Sequence, residues 1–183
     1  MAGQGVGARR SPAVGGGDAG EHRTLAETER AVSERLHGLT LDMPAMVAVQ
    51  NIYRAAGAIR NHLERSVLAQ HGLTWTGWVV LWVVWIWEEI EARHVAAEAG
   101  ISKGTLTGVL STLESRGLLA RRTHPDDARR VLVALTERGE RLLGDLFPLF
   151  NGQEAVVTAP LAPDERLQLA ELLRAVVRGL DRA

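Results

Sequence analysis

The segment Trp75-Thr-Gly-Trp-Val-Val-Leu-Trp-Val-Val-Trp-Ile-Trp87 restricts the fold more than any other stretch, because it holds all five tryptophans of the 183-residue chain. From Trp78 to Trp87, ten consecutive residues are apolar. A membrane-spanning helix needs roughly 17–25 such residues. Here Glu88-Glu89 closes one end, and Thr74, Thr76 and Gly77 interrupt the other. The run therefore reads as a buried helix rather than a span, and no membrane partner is expected. Trp75, Trp78, Trp82 and Trp85 follow one another at three, four and three residues, which at about 100° per residue confines them to an arc of about 80°. Trp87 points the other way. Valines and a leucine fill most other positions, so the helix should be enclosed on all sides. Trp82 and Trp85 are the expected deepest indoles. Trp75 and Trp78, at its start, are where packing can become a ligand wall.

The segments around this helix are polar and periodic. Residues 1–23 have no apolar period and read as a disordered tail. Arg9-Arg10 in that tail is not followed by an apolar stretch, so a signal peptide is rejected and a cytoplasmic, nucleoid-associated location is expected. Residues 24–72 read as an extension helix and a dimerisation helix. Thr24 and Glu27 have capping-box spacing, and Gly38 can end the first helix. The second begins near Pro44 and carries Met46, Val49, Ile52 or Tyr53, Ala56, Ile59, Leu63 and Val67 to Gly72. So long a stripe suggests a dimer surface, with cover by an internal bundle as the alternative. Residues 137–183 read as C-terminal dimerisation helices. The first is capped by Thr136 and should kink at Pro148; the second starts at Pro163.

Residues 73–136 change character after the tryptophans. A short extended piece at Ile90–Ala92 leads into a helix from Arg93 to Ala99. Gly100 turns the chain into a second helix, capped by Ser102 and ended by Gly117. Leu118–His124 and Arg129–Leu135 read as strands around the turn cluster Pro125-Asp126-Asp127-Ala128. The expected fold class is mainly α with a small β-hairpin wing, a winged helix-turn-helix plus a helical dimerisation region.

Charge separates this lobe from the rest. Between Ile101 and Thr136 the cations Lys103, Arg116, Arg121, Arg122, Arg129 and Arg130 outnumber Glu114, Asp126 and Asp127 by three, in a chain of net charge −1. Clustered cations are the footprint of phosphate contact. Ser102, Lys103, Thr105 and Thr107 offer a small, hydrogen-bonding helix face that approaches base edges closely. Arginines on a hairpin tip suit the minor groove. Strand alternation puts Arg121 and Arg122 on opposite faces, one toward DNA and one toward a structural carboxylate. Double-stranded DNA is the expected partner. The absence of cysteine removes disulfides and thiolate sites. The histidines at 22, 37, 62, 71, 94 and 124 lack helical zinc spacing. No nucleophile constellation or phosphate loop appears, so neither a metal, a cofactor nor an enzyme is expected.

These motifs resemble the MarR family of bacterial transcription regulators. They are Ser102-Lys103-Gly-Thr105, Leu113-Glu114-Ser-Arg-Gly117-Leu118, Arg121-Arg122, Pro125, Asp127-Ala-Arg129 and Leu135-Thr136-Glu-Arg-Gly139. The match is strong over residues 71–143; elsewhere only the helix order agrees. The resemblance implies an intertwined homodimer, base or phosphate contacts for Ser102, Lys103, Thr105 and Thr107, minor-groove insertion of Arg129, and a wing shaped by Asp127. It also implies a repressor on an inverted-repeat operator, and in ligand-sensing members a pocket between the dimerisation helices and the winged lobe. Trp75 and Trp78 are the candidate walls of such a pocket, with Arg54 or Arg60 pairing a small aromatic acid. The chain departs from the family at Gly108 and Ala128, where arginines are frequent, and at Glu88-Glu89, where a Gly-Pro loop is common. Arg130 compensates for Ala128. These departures support an alternative, a dimeric small-molecule or protein-interaction module without DNA function.

Overall fold

The computed structural model describes residues 24–180 and Arg182, so the expected tail at 1–23, with Arg9 and Arg10, lies outside the described residues. The chain divides into two compact units at Gln50/Asn51. In the first, helix α1 (Leu25–Arg35) starts with the anticipated capping box: Thr24 Oγ1 accepts the Glu27 N–H at 3.3 Å, and the Glu27 carboxylate accepts the Thr24 N–H at 2.7 Å. The first turn of α2 (Met43–Leu63) is capped by Asp42, which accepts the Ala45 N–H at 2.9 Å.

The second unit opens with the remainder of α2. The expected single helix to Gly72 loosens over its last turns, into a π-helical turn at Glu64–Leu68 and a 3-10 turn at Ala69–His71. Gly72 then ends it at φ 62°, in the left-handed region that suits glycine. Next come α3 (Trp75–Trp87), β1 (Glu89–Glu91), α4 (Ala92–Glu98), α5 (Lys103–Ser115), β2 (Leu119–His124), β3 (Asp127–Leu135), α6 (Glu137–Val157) and α7 (Pro163–Leu180). α6 remains one helix through Pro148. The wing is more than the expected hairpin. β3 is the central strand of an antiparallel sheet ordered β1-β3-β2, with Ile90 opposite Val133 on one side and Arg121 opposite Val133 on the other.

The core is built around α3, which touches α4, α5, α6, β1 and β3. Val80, Leu81 and Val84 are completely buried on it. The four tryptophans expected on one face do share one, and it lies on α6. Trp78 stacks on Phe150 at 4.5 Å and Trp82 on Phe147 at 4.9 Å, while Trp75 and Trp85 approach the same two phenyl rings at 6.2 and 5.7 Å. The expected depth order is corrected. Trp78 is the deepest at 4% exposure, Trp82 is half-buried and Trp85 is 46% exposed. Enclosure on all sides also fails at the C-terminal turn, where Ile86 and Trp87 are exposed as well. Phe150 covers Trp75 and Trp78 and Phe147 stacks on Trp82, so Trp85 meets Phe147 alone of the two, at the edge of the contact.

The end of the wing is locked to α6 through Thr136. Its N–H donates to the Leu118 carbonyl at 3.1 Å and its hydroxyl to the Gly117 carbonyl at 2.6 Å, while its oxygen accepts the Gly139 N–H at 3.1 Å. This geometry explains the Leu135-Thr136-x-x-Gly139 spacing. A Cβ on Gly139 would overlap the carbonyl oxygen of Leu118, which sits in buried backbone and has no flexible end to yield. Gly139→Ala is therefore expected to destabilise the fold by about 3 kcal/mol or more. Urea unfolding checks this: a clearly lower midpoint is expected, and an unchanged one would contradict the packing described.

Candidate nucleic-acid interface

Helix α5 has two unlike faces. Leu106, Leu110 and Leu113 are buried in the core, whereas Ser102, Lys103, Thr105 and Thr107 are exposed together on the outer face. The Ser102 hydroxyl caps the helix, accepting the Thr105 N–H at 3.1 Å and lying 2.9 Å from the Thr105 hydroxyl. The Thr107 hydroxyl donates to the Lys103 carbonyl at 2.9 Å. A Cβ on Gly108 would meet nothing within 4 Å, so packing does not require glycine there.

The wing is shaped at its tip by Asp127, whose carboxylate accepts the Arg129 N–H at 2.9 Å. The Arg129 side chain is exposed and has no ion pair among the described residues; the same holds for Lys103. A cleft of about 500 Å³ between α5 and the wing brings Lys103, Thr107, Arg121, Asp127, Arg129 and Arg130 together.

The other wing arginines are occupied. Arg121 binds Glu114 on α5, through Nε at 3.0 Å and a second, shorter contact. Arg122 grips Glu89 with two parallel bonds of 2.7 and 2.5 Å. Arg130 binds Glu91, which also holds Arg93 at 2.9 Å. Arg116 donates to the Gly72 and His71 carbonyls at 2.7 Å each, tying α5 to the corner before α3. The expectation that only one of Arg121 and Arg122 meets a carboxylate is thus corrected, since both do. Glu89 lies 33 residues before Arg122, on a strand whose partner the local sequence does not specify. The Glu-x-Glu alternation in β1 is the signal that was available, because it puts Glu89 and Glu91 on one face beside β3.

These pairings hold the carboxylates ionised. Hydrogen bonds from Arg121 and Arg122 push Glu114 and Glu89 below the usual carboxylate range. Glu91 is lowered to about 2, chiefly by the hydrogen bond from Arg130, against the opposing effect of burial and with help from the Arg93 charge. Glu91 is only 8% exposed, and Arg130 Nε beside it is buried without a hydrogen-bond partner.

The candidate ligand residues separate. Trp75 and Trp78 line a cleft of about 240 Å³ with Trp82, Phe147, Phe150 and Glu154. Arg54 and Arg60 stand exposed on α2 and do not line it. Among the described residues no group of three or more His, Asp or Glu side chains is placed to hold a metal. No single described helix is long and apolar enough to cross a membrane.

Two helices joined at a tight turn, the second open on one face and flanked by an arginine-tipped wing, define a winged helix-turn-helix, the fold of a DNA-binding regulator. Known proteins agree. A model of the MarR family matches residues 73–131. The HTH-type transcriptional regulator YwaE of Bacillus subtilis is 32% identical over 160 residues, covering 87% of this chain and 91% of the relative. The chain belongs to the MarR family, whose members are transcriptional regulators rather than enzymes. Among solved structures, BpsR of Bordetella bronchiseptica, whose DNA binding is regulated by 6-hydroxynicotinic acid, superposes with a TM-score of 0.65 at 28% identity, over 71% of this chain and 98% of that one. A MarR family regulator from Streptomyces coelicolor, in complex with DNA, shares the fold with a TM-score of 0.70 at 22% identity, over 79% of this chain and 92% of that one.

The buried Glu91 gives a pH signature. Its value of about 2 lies below the ordinary 4.5, so its ionised form stabilises the fold above about pH 4.5, and that contribution is lost as pH falls toward 2. Glu91→Gln should flatten the loss of stability over that interval, measured as urea midpoint against pH. Parallel curves for the two proteins would show that the Glu91 pairing adds nothing.

Proposed function

We propose that the protein is a homodimeric repressor that binds an inverted-repeat operator and leaves it when a small molecule binds. The observation that carries this reading is the open face of α5, Ser102, Lys103, Thr105 and Thr107, set beside an exposed Arg129 at the wing tip. On this reading α5 enters the major groove and Arg129 the adjacent minor groove. The Thr107 hydroxyl has spent its proton on the Lys103 carbonyl, so toward a base it accepts, which suits the amino groups of adenine or cytosine. Arg121, Arg122 and Arg130 position the wing, and each reaches phosphate only by exchanging its carboxylate.

Residues 24–72 and 137–183 supply the dimerisation region. Neither α1 nor α7 buries a residue, and α7 exposes Leu169, Leu172, Leu173, Val176, Val177 and Leu180 at helical spacing, which supports coverage by a second copy. Two-fold symmetry then sets half-sites about one helical turn apart. The regulation of BpsR by 6-hydroxynicotinic acid supports ligand release in this chain. The site of action is the nucleoid, in the cytoplasm.

A second reading is favoured by Gly108 and by the pairing of three wing arginines, namely a dimeric ligand-binding or interaction module without DNA function. Selection from random duplexes separates the two. Enrichment of an inverted repeat is expected, and its absence would favour the second reading. Arg129→Ala should weaken operator binding by about tenfold or more while the dimer persists. Unchanged affinity across a salt titration would remove Arg129 from the interface.

A further inference from the structure

Gly108 opens the outer face of α5 onto a notch whose available surface is mostly hydrocarbon. We infer that this notch receives the C5-methyl group of a thymine, making Gly108 a specificity-determining residue; the inference rests on the reading above that α5 enters the major groove. The notch, about 320 Å³, lies between α5 and the corner that begins α3. Gly108, Thr105 and Thr112 are its exposed residues on α5. At about 100° per residue these three fall within an arc of about 60°, so they border one opening. The half-buried Val109 and the buried Leu73 and Leu113 line it as well. A Cβ built on Gly108 would meet nothing within 4 Å, so the space is open to a group the size of a methyl.

The polar side chains around the notch are already engaged. The Thr112 hydroxyl donates to the Gly108 carbonyl at 3.0 Å, and the Thr105 hydroxyl lies 2.9 Å from that of Ser102. Thr74 Oγ1 accepts the Gly77 N–H at 3.1 Å, and Arg116 spends two guanidinium nitrogens on the Gly72 and His71 carbonyls at 2.7 Å each. What these bonds leave to an incoming group is chiefly carbon. Of the groups that base pairs present in the major groove, the thymine methyl is the hydrocarbon one. Nor does α5 supply the usual polar alternatives. From Lys103 to Ser115 it holds no arginine for a forked guanine contact and no asparagine or glutamine for adenine. Lys103, its single cation, lies more than a turn before Gly108, and Glu114, its single carboxylate, is held by Arg121. The acceptor at Thr107 suits the adenine amino group of an A·T pair.

The test uses the full-length protein and the operator enriched from random duplexes. Each thymine of the half-site is replaced in turn, in both half-sites together, by deoxyuridine, which keeps the hydrogen-bonding edge and lacks the methyl. At one thymine position binding should weaken by about fifteenfold, or about fourfold for each methyl removed. Gly108→Ala places a methyl in the space assigned to thymine. The position is open and alanine favours a helix, so the variant should fold normally. It should bind the thymine operator more weakly than the unaltered protein and lose the thymine–uracil difference at that position. Equal binding of thymine and uracil at every position, or a uracil effect that Gly108→Ala leaves unchanged, would overturn the inference while the regulatory reading stands. Failure to enrich any operator would overturn both.

Discussion

The stacking of Trp78 on Phe150 and of Trp82 on Phe147 joins the DNA-reading lobe to the helix that leaves it. α3 carries those indoles on one face and the fully buried Val80, Leu81 and Val84 on others, against α4, α5 and the sheet. Offset aromatic pairs add about 0.5–1.5 kcal/mol each beyond the area they bury. The larger consequence is geometric. A helix packed on both sides does not shift on one side without moving what rests on the other. A displacement at the aromatic seam is thus felt by α5, and Thr136 with Gly139 is the second fixed point between the same two regions.

The lobe's positive surplus in the sequence is not a surplus of available cations. Arg116 is spent on the corner before α3, and Arg121, Arg122 and Arg130 on Glu114, Glu89 and Glu91. The exposed pairs at Glu114 and Glu89 contribute little to stability, whereas the buried Glu91 adds the pH-dependent contribution described above. The pairs fix direction, tying β2 to α5 through Arg121 and to β1 through Arg122, and β3 to β1 through Arg130. On the proposed reading the wing is rigid before DNA arrives, and Lys103 and Arg129 are the cations ready to meet phosphate or base.

What the sequence made legible was local. The Thr24, Ser102 and Thr136 caps, the ends at Gly72 and Gly117, and the strand pair around Pro125 each depend on neighbours a few residues away. What it hid was distant or positional. β1 pairs with a strand more than forty residues later, and Arg122 finds its carboxylate 33 residues earlier. Helical spacing gave the shared face of Trp75, Trp78, Trp82 and Trp85 correctly. It could not say where along that face Phe147 and Phe150 would fall, so Trp85 was placed too deep. The lining of the aromatic cleft was hidden for the same reason: Arg54 and Arg60 precede the tryptophans in the chain and do not line it, whereas Glu154, far beyond them, does.

The salt dependence of operator binding tests most directly whether the paired arginines are structural. On the proposed reading, a dimer with Lys103 and Arg129 available in each subunit neutralises about four phosphates, and log K should fall against log salt with a slope near −4. A slope near −11, as expected if all six cations of each lobe bind phosphate, would contradict the account.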